Sequence, residues 1–157
     1  MAYKTVRELF DQVEHWRSRV ETFCGEVAEG AEDDRVAAMM AYFQQHERQL
    51  RLLTDELPGD RREGVLNTWL QHTADDDVRR FFRDADLSPD QTLDEATRDV
   101  VEFDDRLREM YRTLAESGQT PPEVQSVFRN LLDAQAWQTL RNAWSGVESA
   151  QYSEGVA

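Results

Sequence analysis

The chain has 157 residues and carries 32 acidic against 18 basic side chains, which gives a net charge of −14. This length suits one domain, and the 4 Trp, 4 Tyr and 7 Phe residues favour a folded chain over a disordered one. The acidic excess argues against nucleic acids and anionic membrane surfaces as partners, because both are bound mainly through Lys and Arg.

Cysteine usage and the N-terminal segment indicate a cytoplasmic protein. Cys24 is the only cysteine, so no disulfide can form within the chain. The segment up to Val13 contains Lys4, Arg7 and Glu8 where a signal peptide would be apolar. No apolar run approaches the length that a membrane-spanning helix requires.

A long first helix is predicted from Thr5 to Gly30. Thr5 and Glu8 have the spacing of a capping box, and Gly30 is expected to end the helix in a left-handed conformation. Apolar residues follow at alternating steps of three and four, typical of one buried face. These core positions are Val6, Leu9, Val13, Trp16, Val20, Phe23 and Val27, widened by Phe10 and Cys24.

A second helix is predicted from the acidic residues 32–34 to Leu57, with Pro58-Gly59 as its end. Its apolar stripe is interrupted at His46. The stripe positions are Val36, Met39, Phe43, Leu50, Leu53 and Leu57. Because only a short turn joins the two helices, they must lie antiparallel.

Residues from about 58 to 91 are interpreted as a crossover. The apolar clusters at 65–70 and 78–82 predict two short helices, since a structureless loop of this length is unusual inside a compact domain. The aromatic pair Phe81-Phe82 is expected to pack in the core.

Two more long helices are predicted after the crossover. Thr92 and Glu95 form a second capping box, and Gly118 is expected to end the third helix. A third capping box begins at Thr120, with Pro121 as the first residue of a fourth helix that reaches about Val147. The predicted core residues are Leu93, Ala96, Val100, Phe103, Leu107, Met110 and Leu114, then Val124, Val127, Phe128, Leu131, Ala134, Trp137, Leu140 and Trp144.

The resulting prediction is an all-α protein with one domain over residues 1–150 and a frayed tail over 151–157. Two antiparallel helical hairpins joined by one long crossover have the connectivity of a ferritin-like four-helix bundle. An up-down-up-down bundle with short loops is the alternative, which the length of the crossover disfavours.

The stretch 27–57, including Tyr42-Phe43-Gln44-Gln45-His46-Glu47, resembles the rubrerythrin-like branch of the ferritin-like superfamily. Weaker similarity lies at 109–111 and 128–131. The resemblance implies oxygen or peroxide chemistry at two iron ions. Their ligands would be one Glu from each of two helices and a Glu-x-x-His motif from each of the other two.

Only part of that ligand set is present on the first two helices. The resemblance places a ligand at Glu14 on helix one and another at Glu47 on helix two. The His that should follow Glu47 by three residues is replaced by Leu50.

The other two helices depart further from the pattern. Helix three has Phe103 where a Glu is expected, so Glu102 or Asp105 would serve only if the register slips by one residue. Helix four has Gln135 and Gln138 in place of Glu and His. Because Gln brings no negative charge and binds iron poorly, the di-iron centre is expected to be lost.

Of the three histidines, His15 and His72 lack metal-ligand spacing and His46 needs separate treatment. His46 lies beside Glu47 and is either a relocated metal ligand, a proton carrier, or a residue at the edge of the bundle that bonds a neighbouring carboxylate. The last interpretation is favoured. His15 and His72 are expected to be solvated.

The segment 84–95 has oxygen-bearing side chains at the spacing of a calcium-binding EF-hand loop. Its sixth position is Pro89, where the motif needs Gly for a sharp turn. A helix start capped by Ser88 is therefore the favoured interpretation. Cys24, on a core face, is expected to pack and not to react.

The sequence predicts a non-catalytic ferritin-like bundle with a structural or interaction role and no cofactor. Its vestigial metal site would comprise Glu14, Glu47 and His46. A homodimer is expected, from the fold and from surplus aromatic residues at Tyr3, Tyr42 and Trp144.

Two functional alternatives remain open. One is a di-iron or single-metal oxidoreductase that uses iron, bound by Glu14, Glu47, His46 and one of Glu102 or Asp105. The other is a calcium- or ligand-binding module that works through the crossover.

Overall fold

A computed structural model describes residues 3–52 and 59–136, with side chains from 63 onward in the second range. This part of the chain is mostly helical, which confirms the all-α class. The elements are β1 (Lys4–Thr5), α1 (Val6–Gly30), α2 (Asp34–Leu52), α3 (Gly59–Leu66), β2 (Trp69–Leu70), α4 (Asp76–Asp84), α5 (Leu93–Glu116) and α6 (122–136). The predicted continuations of helix two to Leu57 and helix four to Val147, and the tail 151–157, lie outside the described residues.

Helix α1 confirms the first predicted helix. The Thr5 hydroxyl accepts a hydrogen bond from the Glu8 amide at 3.2 Å, and all the predicted core positions are buried. The helix ends at Gly30 as expected, but not in a left-handed conformation, because no described glycine has a positive φ. The chain leaves α1 through Ala31, whose backbone is extended.

Helix α2 keeps most of the predicted stripe, since Val36 and Phe43 pack against the core and Leu50 is buried, but its first buried methionine is not the predicted one. Met39 is 45% exposed, whereas Met40 is fully buried. The stripe therefore runs through Met40, the partly buried Phe43, Glu47 and Leu50. Glu47 lies on this line between Phe43 and Leu50, so the line places a carboxylate inside the protein.

The crossover contains the two predicted short helices, α3 and α4, and also a short sheet that was not predicted. Trp69–Leu70 pairs antiparallel with Lys4–Thr5, so the apolar cluster 65–70 is only helical up to Leu66. The Thr68 carbonyl accepts a hydrogen bond from the Val6 amide at 3.0 Å. This bond satisfies an amide that the first turn of α1 leaves unpaired.

Helix α5 starts at Leu93, with Thr92 as its cap. The predicted helix start at Ser88 is wrong, because the Ser88 hydroxyl instead accepts the Asp90 amide in a turn. Gly118 lies beyond the end of α5 at Glu116 and has no positive φ.

Helices α5 and α6 form the second hairpin, and both contact α1. The rings of Tyr111 and Phe128 lie 5.8 Å apart, and Phe128 also meets Phe10 of α1 at 5.7 Å. Phe82 of the crossover stacks on Trp16 and meets Phe103, as its predicted core position requires. Among the described residues, no helix combines the length and the apolar character needed to cross a membrane.

Asp75 ties the start of α4 to the N-terminal strand. It accepts a hydrogen bond from the Thr73 hydroxyl at 2.5 Å and pairs with Arg79 at 2.8 Å and Lys4 at 3.6 Å. Burial tends to raise the pKa of Asp75, but the Thr73 hydrogen bond and the two cations outweigh burial, so the pKa is lowered.

We expect Asp75→Asn to reduce the free energy of unfolding by about 1–3 kcal/mol at pH 7. Because folding lowers the pKa of Asp75, its stabilisation is present above the unfolded pKa, near ~3.9, and is lost as pH falls through the lower folded value. Urea denaturation from pH 7 to pH 3 would show the two proteins converging at acid pH. Asp77→Asn, at an exposed ion pair in the same helix, is the control, and an equal loss there would contradict the assignment.

Candidate functional site

Four polar side chains, one from each long helix, meet in the interior of the bundle. Arg17 is 1% exposed, Glu47 0% and Gln135 2%, and the side chain of Asp104 is 13% exposed. We call these four residues the Arg17 cluster. Since charged residues are seldom fully buried unless they are paired, the cluster needs a specific explanation.

The helical repeat places these residues inside. Each continues a line of core residues at steps of three or four, which keeps it on the buried face. The lines are Phe10, Val13, Arg17, Val20 and Cys24 in α1; Met40, Phe43, Glu47 and Leu50 in α2; Val100, Asp104, Leu107 and Tyr111 in α5; and Val124, Phe128, Leu131 and Gln135 in α6.

The Arg17 guanidinium joins the other three members. Its Nη1 donates to Glu47 Oε2 at 2.9 Å and to Asp104 Oδ1 at 3.3 Å, while Nη2 donates to Gln135 Oε1 at 3.3 Å. The guanidinium carbon also lies 5.8 Å from the centre of the Phe103 ring. One cation therefore links all four long helices.

Charge balance in the cluster is incomplete. Burial tends to lower the pKa of Arg17, but attraction to Glu47, Tyr111 and Asp104 raises it overall, so the guanidinium stays charged. Burial raises the pKa of Glu47 well above its ordinary value. The Asp104 carboxylate adds to that rise and Arg17 opposes it. Two carboxyl groups thus compete for one guanidinium.

His46 lies at the edge of the cluster, 8% exposed. Its Nε2 is 4.0 Å from Asp104 Oδ2, which places it beside a carboxylate as predicted, at a distance longer than a hydrogen bond. Burial lowers the pKa of His46, Asp104 opposes that shift and Arg17 adds to it. A pKa below the ordinary value favours the neutral imidazole at pH 7.

The other predicted metal ligands lie outside the cluster. Glu14 is half exposed and pairs with Arg51 at 3.7 Å. Glu102 and Asp105 are also substantially exposed and pair along their own helix with Arg106 and Arg108. Phe103 is fully buried, as its predicted core position requires.

Sequence reasoning missed Arg17 and Asp104, although a signal for each was present. Arg17 lies seven residues from both Phe10 and Cys24, which had been assigned to the core face of helix one. Asp104 lies seven residues before Tyr111, which is 2% exposed. A step of seven residues keeps a helix position on nearly the same face. Gln138 and Trp137, which the resemblance and the core prediction include, lie outside the described residues.

An iron pair does not fit the cluster. Its described members supply two carboxylates and one amide where the resemblance implies six metal ligands, and one guanidinium nitrogen contacts both carboxylates. A fixed positive charge in contact with Glu47 Oε2 and Asp104 Oδ1 opposes a pair of metal cations that would share these carboxylates.

The structure also shows the surroundings of the other residues that the sequence singled out as candidates. His15 and His72 are exposed, as expected. Cys24 is buried, and burial, with help from Glu47 and Asp104, raises the pKa of its thiol, so it stays unreactive. In the calcium-like loop, the Glu95 carboxylate accepts the Thr92 hydroxyl at 3.1 Å and completes the helix cap.

Removal of Arg17 should destabilise the protein strongly. We expect Arg17→Ala to lower the free energy of unfolding by about 3–5 kcal/mol, because it leaves buried carboxylates without a cation. Urea denaturation followed by circular dichroism measures this loss. Arg7→Ala is the matched control on the same helix, where an exposed ion pair with Glu63 contributes less than about 1 kcal/mol.

A second variant keeps this prediction testable if Arg17→Ala does not fold. The triple variant Arg17→Met, Glu47→Leu, Asp104→Leu removes all the buried charges together, so we expect it to fold with stability near that of the native protein. Equal losses in Arg17→Ala and Arg7→Ala would contradict the role given to Arg17.

Comparison with known proteins finds no match for this chain. No family model matches it, and neither the curated proteins nor the solved structures include a match.

Proposed function

We propose that the chain is a ferritin-like helical bundle of the rubrerythrin type whose di-iron centre is lost and whose role is structural or interaction-based. The observation that carries this proposal is the position of Arg17. Its guanidinium joins Glu47 of α2, Asp104 of α5 and Gln135 of α6, where a metalloprotein of that type would hold its cations. One guanidinium thus contacts the carboxyl groups that metal ions would otherwise contact.

The connectivity of the described residues supports the ferritin-like assignment. Helices α1 and α2 are joined by the short segment 31–33, whereas α2 and α5 are separated by a crossover that contains α3, β2 and α4. Rings of α5 and α6 pack against each other. This order of short, long and short connections is that of two hairpins with one long crossover.

The interaction role draws on apolar side chains that the described surface leaves exposed. Tyr3 is 54% exposed and Trp69 62%, and the pairing of β1 with β2 brings these two segments together. A homodimer in the cytoplasm remains the expected assembly. Light scattering after size-exclusion chromatography tests it, and a monomer at high protein concentration would contradict it.

Metal analysis tests the loss of the iron pair. Protein purified from iron-supplemented cells should contain far fewer than two irons per chain, show no near-ultraviolet absorbance of an oxo bridge and not accelerate peroxide consumption. Two irons per chain with that absorbance would overturn the proposal and support the oxidoreductase alternative. The same measurements on Arg17→Met would report whether the guanidinium is what keeps iron out.

A further inference from the structure

Each carboxyl group of the Arg17 cluster has one oxygen that the guanidinium does not contact. Arg17 contacts Glu47 through Oε2 and Asp104 through Oδ1. The second oxygen of each carboxylate is therefore left for another contact. Asp104 Oδ2 is the oxygen nearest His46, at 4.0 Å from its Nε2.

Of these atoms, Glu47 Oε1 most clearly lacks a partner. It belongs to a residue with no exposed surface, and within the described part of the chain it has no hydrogen-bond partner. A buried carboxylate oxygen without a donor is costly. Among the described residues, Arg17 is the one cation that pairs with both carboxyl groups, and it does so through their other oxygens.

Three residues supply a ligand set there. One ligand atom each from His46, Glu47 and Asp104 lies within 4.8 Å of the others, and no other such group occurs in the described ranges. Ligands bound at ~2.0–2.2 Å from an ion lie roughly 3–4 Å apart, so closure needs these atoms to approach one another by at most about 2 Å. His46 and Asp104 retain some exposure, at 10% and 13% of their side chains, which provides a path from solvent.

We infer that His46, Glu47 and Asp104 form a site for one divalent transition-metal ion, with Arg17 retained on the opposite oxygens. One imidazole and two carboxylates suit Zn²⁺, Mn²⁺, Fe²⁺ or Co²⁺, whereas Mg²⁺ and Ca²⁺ prefer oxygen ligands alone. The site uses His46 and Asp104, neither of which belongs to the ligand pattern that the family resemblance implies. The ion is structural and closes the edge of the bundle.

This inference stands apart from the proposed function, because it depends only on the described contacts. One bound ion per chain is compatible with a lost iron pair. Two irons per chain with oxo-bridge absorbance would overturn the proposed function, whereas the absence of any bound ion would overturn only this inference.

Co²⁺ is the probe, because its visible absorption reports the ligand field of a bound site. The full-length protein is freed of metal with a chelator and titrated with Co²⁺ in about 0.5 M KCl, which screens the acidic surface. We expect one Co²⁺ per chain with a saturable visible band that excess Zn²⁺ abolishes. No saturable band, or binding only in proportion to added Co²⁺, overturns the inference.

Matched variants locate the ion. His46→Gln and Asp104→Asn should weaken Co²⁺ binding by at least about 100-fold, since loss of a direct ligand exceeds the 10–100-fold effect of an outer-shell partner. His72→Gln and Asp105→Asn change the same residue types at exposed positions and should leave binding unchanged.

Unchanged binding in His46→Gln would overturn the site. If Asp104→Asn does not fold, His46→Gln still decides the matter, because His46 lies at the edge of the cluster. A Zn²⁺-dependent rise in melting temperature that the native protein shows and His46→Gln lacks is the second readout, as expected for an ion that binds only the folded chain.

Discussion

The interior of this bundle depends on a single guanidinium that must satisfy acceptors from three other helices at once. Arg17 reaches Glu47, Asp104 and Gln135 at 2.9–3.3 Å, and each acceptor comes from a different helix. A planar guanidinium presents five donors in a fixed fork, whereas a lysine ammonium is a compact group with three. If one helix shifted along its axis, a buried polar group would lose its partner. The cluster therefore restricts the axial register of all four long helices.

Apolar packing alone does not impose such a restriction. Leucine or valine faces tolerate sliding as long as volume is conserved, and the apolar lines of α1 and α5 are continuous above and below the cluster. Buried polar groups serve to specify register in some other helical assemblies. At the Arg17 cluster, only one axial alignment of the helices lets each buried polar group reach its partner.

Much of the helical framework could be predicted from the sequence, because it depends on local signals. The capping boxes at Thr5 and Thr92 and the apolar repeats of α1 and α5 need no information from distant residues. The β1–β2 pairing was missed, since it joins residues 4–5 to 69–70 and leaves no local pattern. The glycine stops were placed correctly but for the wrong reason, because the chain leaves α1 and α5 through extended residues.

The candidate site was only partly predictable. Glu47 and His46 were singled out, but the resemblance directed attention to Glu14, which faces solvent. A charged residue in a core repeat is usually assigned to the surface, so Arg17 and Asp104 were not considered despite their spacing. Whether a polar residue at such a position is buried depends on partners 30 to 118 residues away, which a pattern within one helix does not contain.

These sequence separations also bear on how the bundle assembles. Arg17 finds Glu47 after 30 residues, Asp104 after 87 and Gln135 after 118. A chain emerging from the ribosome can form the first pair within one hairpin, but the last contact must wait for α6. Until that helix docks, water can solvate the exposed flank of the guanidinium and the two carboxylates. Docking of α6 is therefore the step that excludes water from the cluster. Long-range contacts of this kind slow folding.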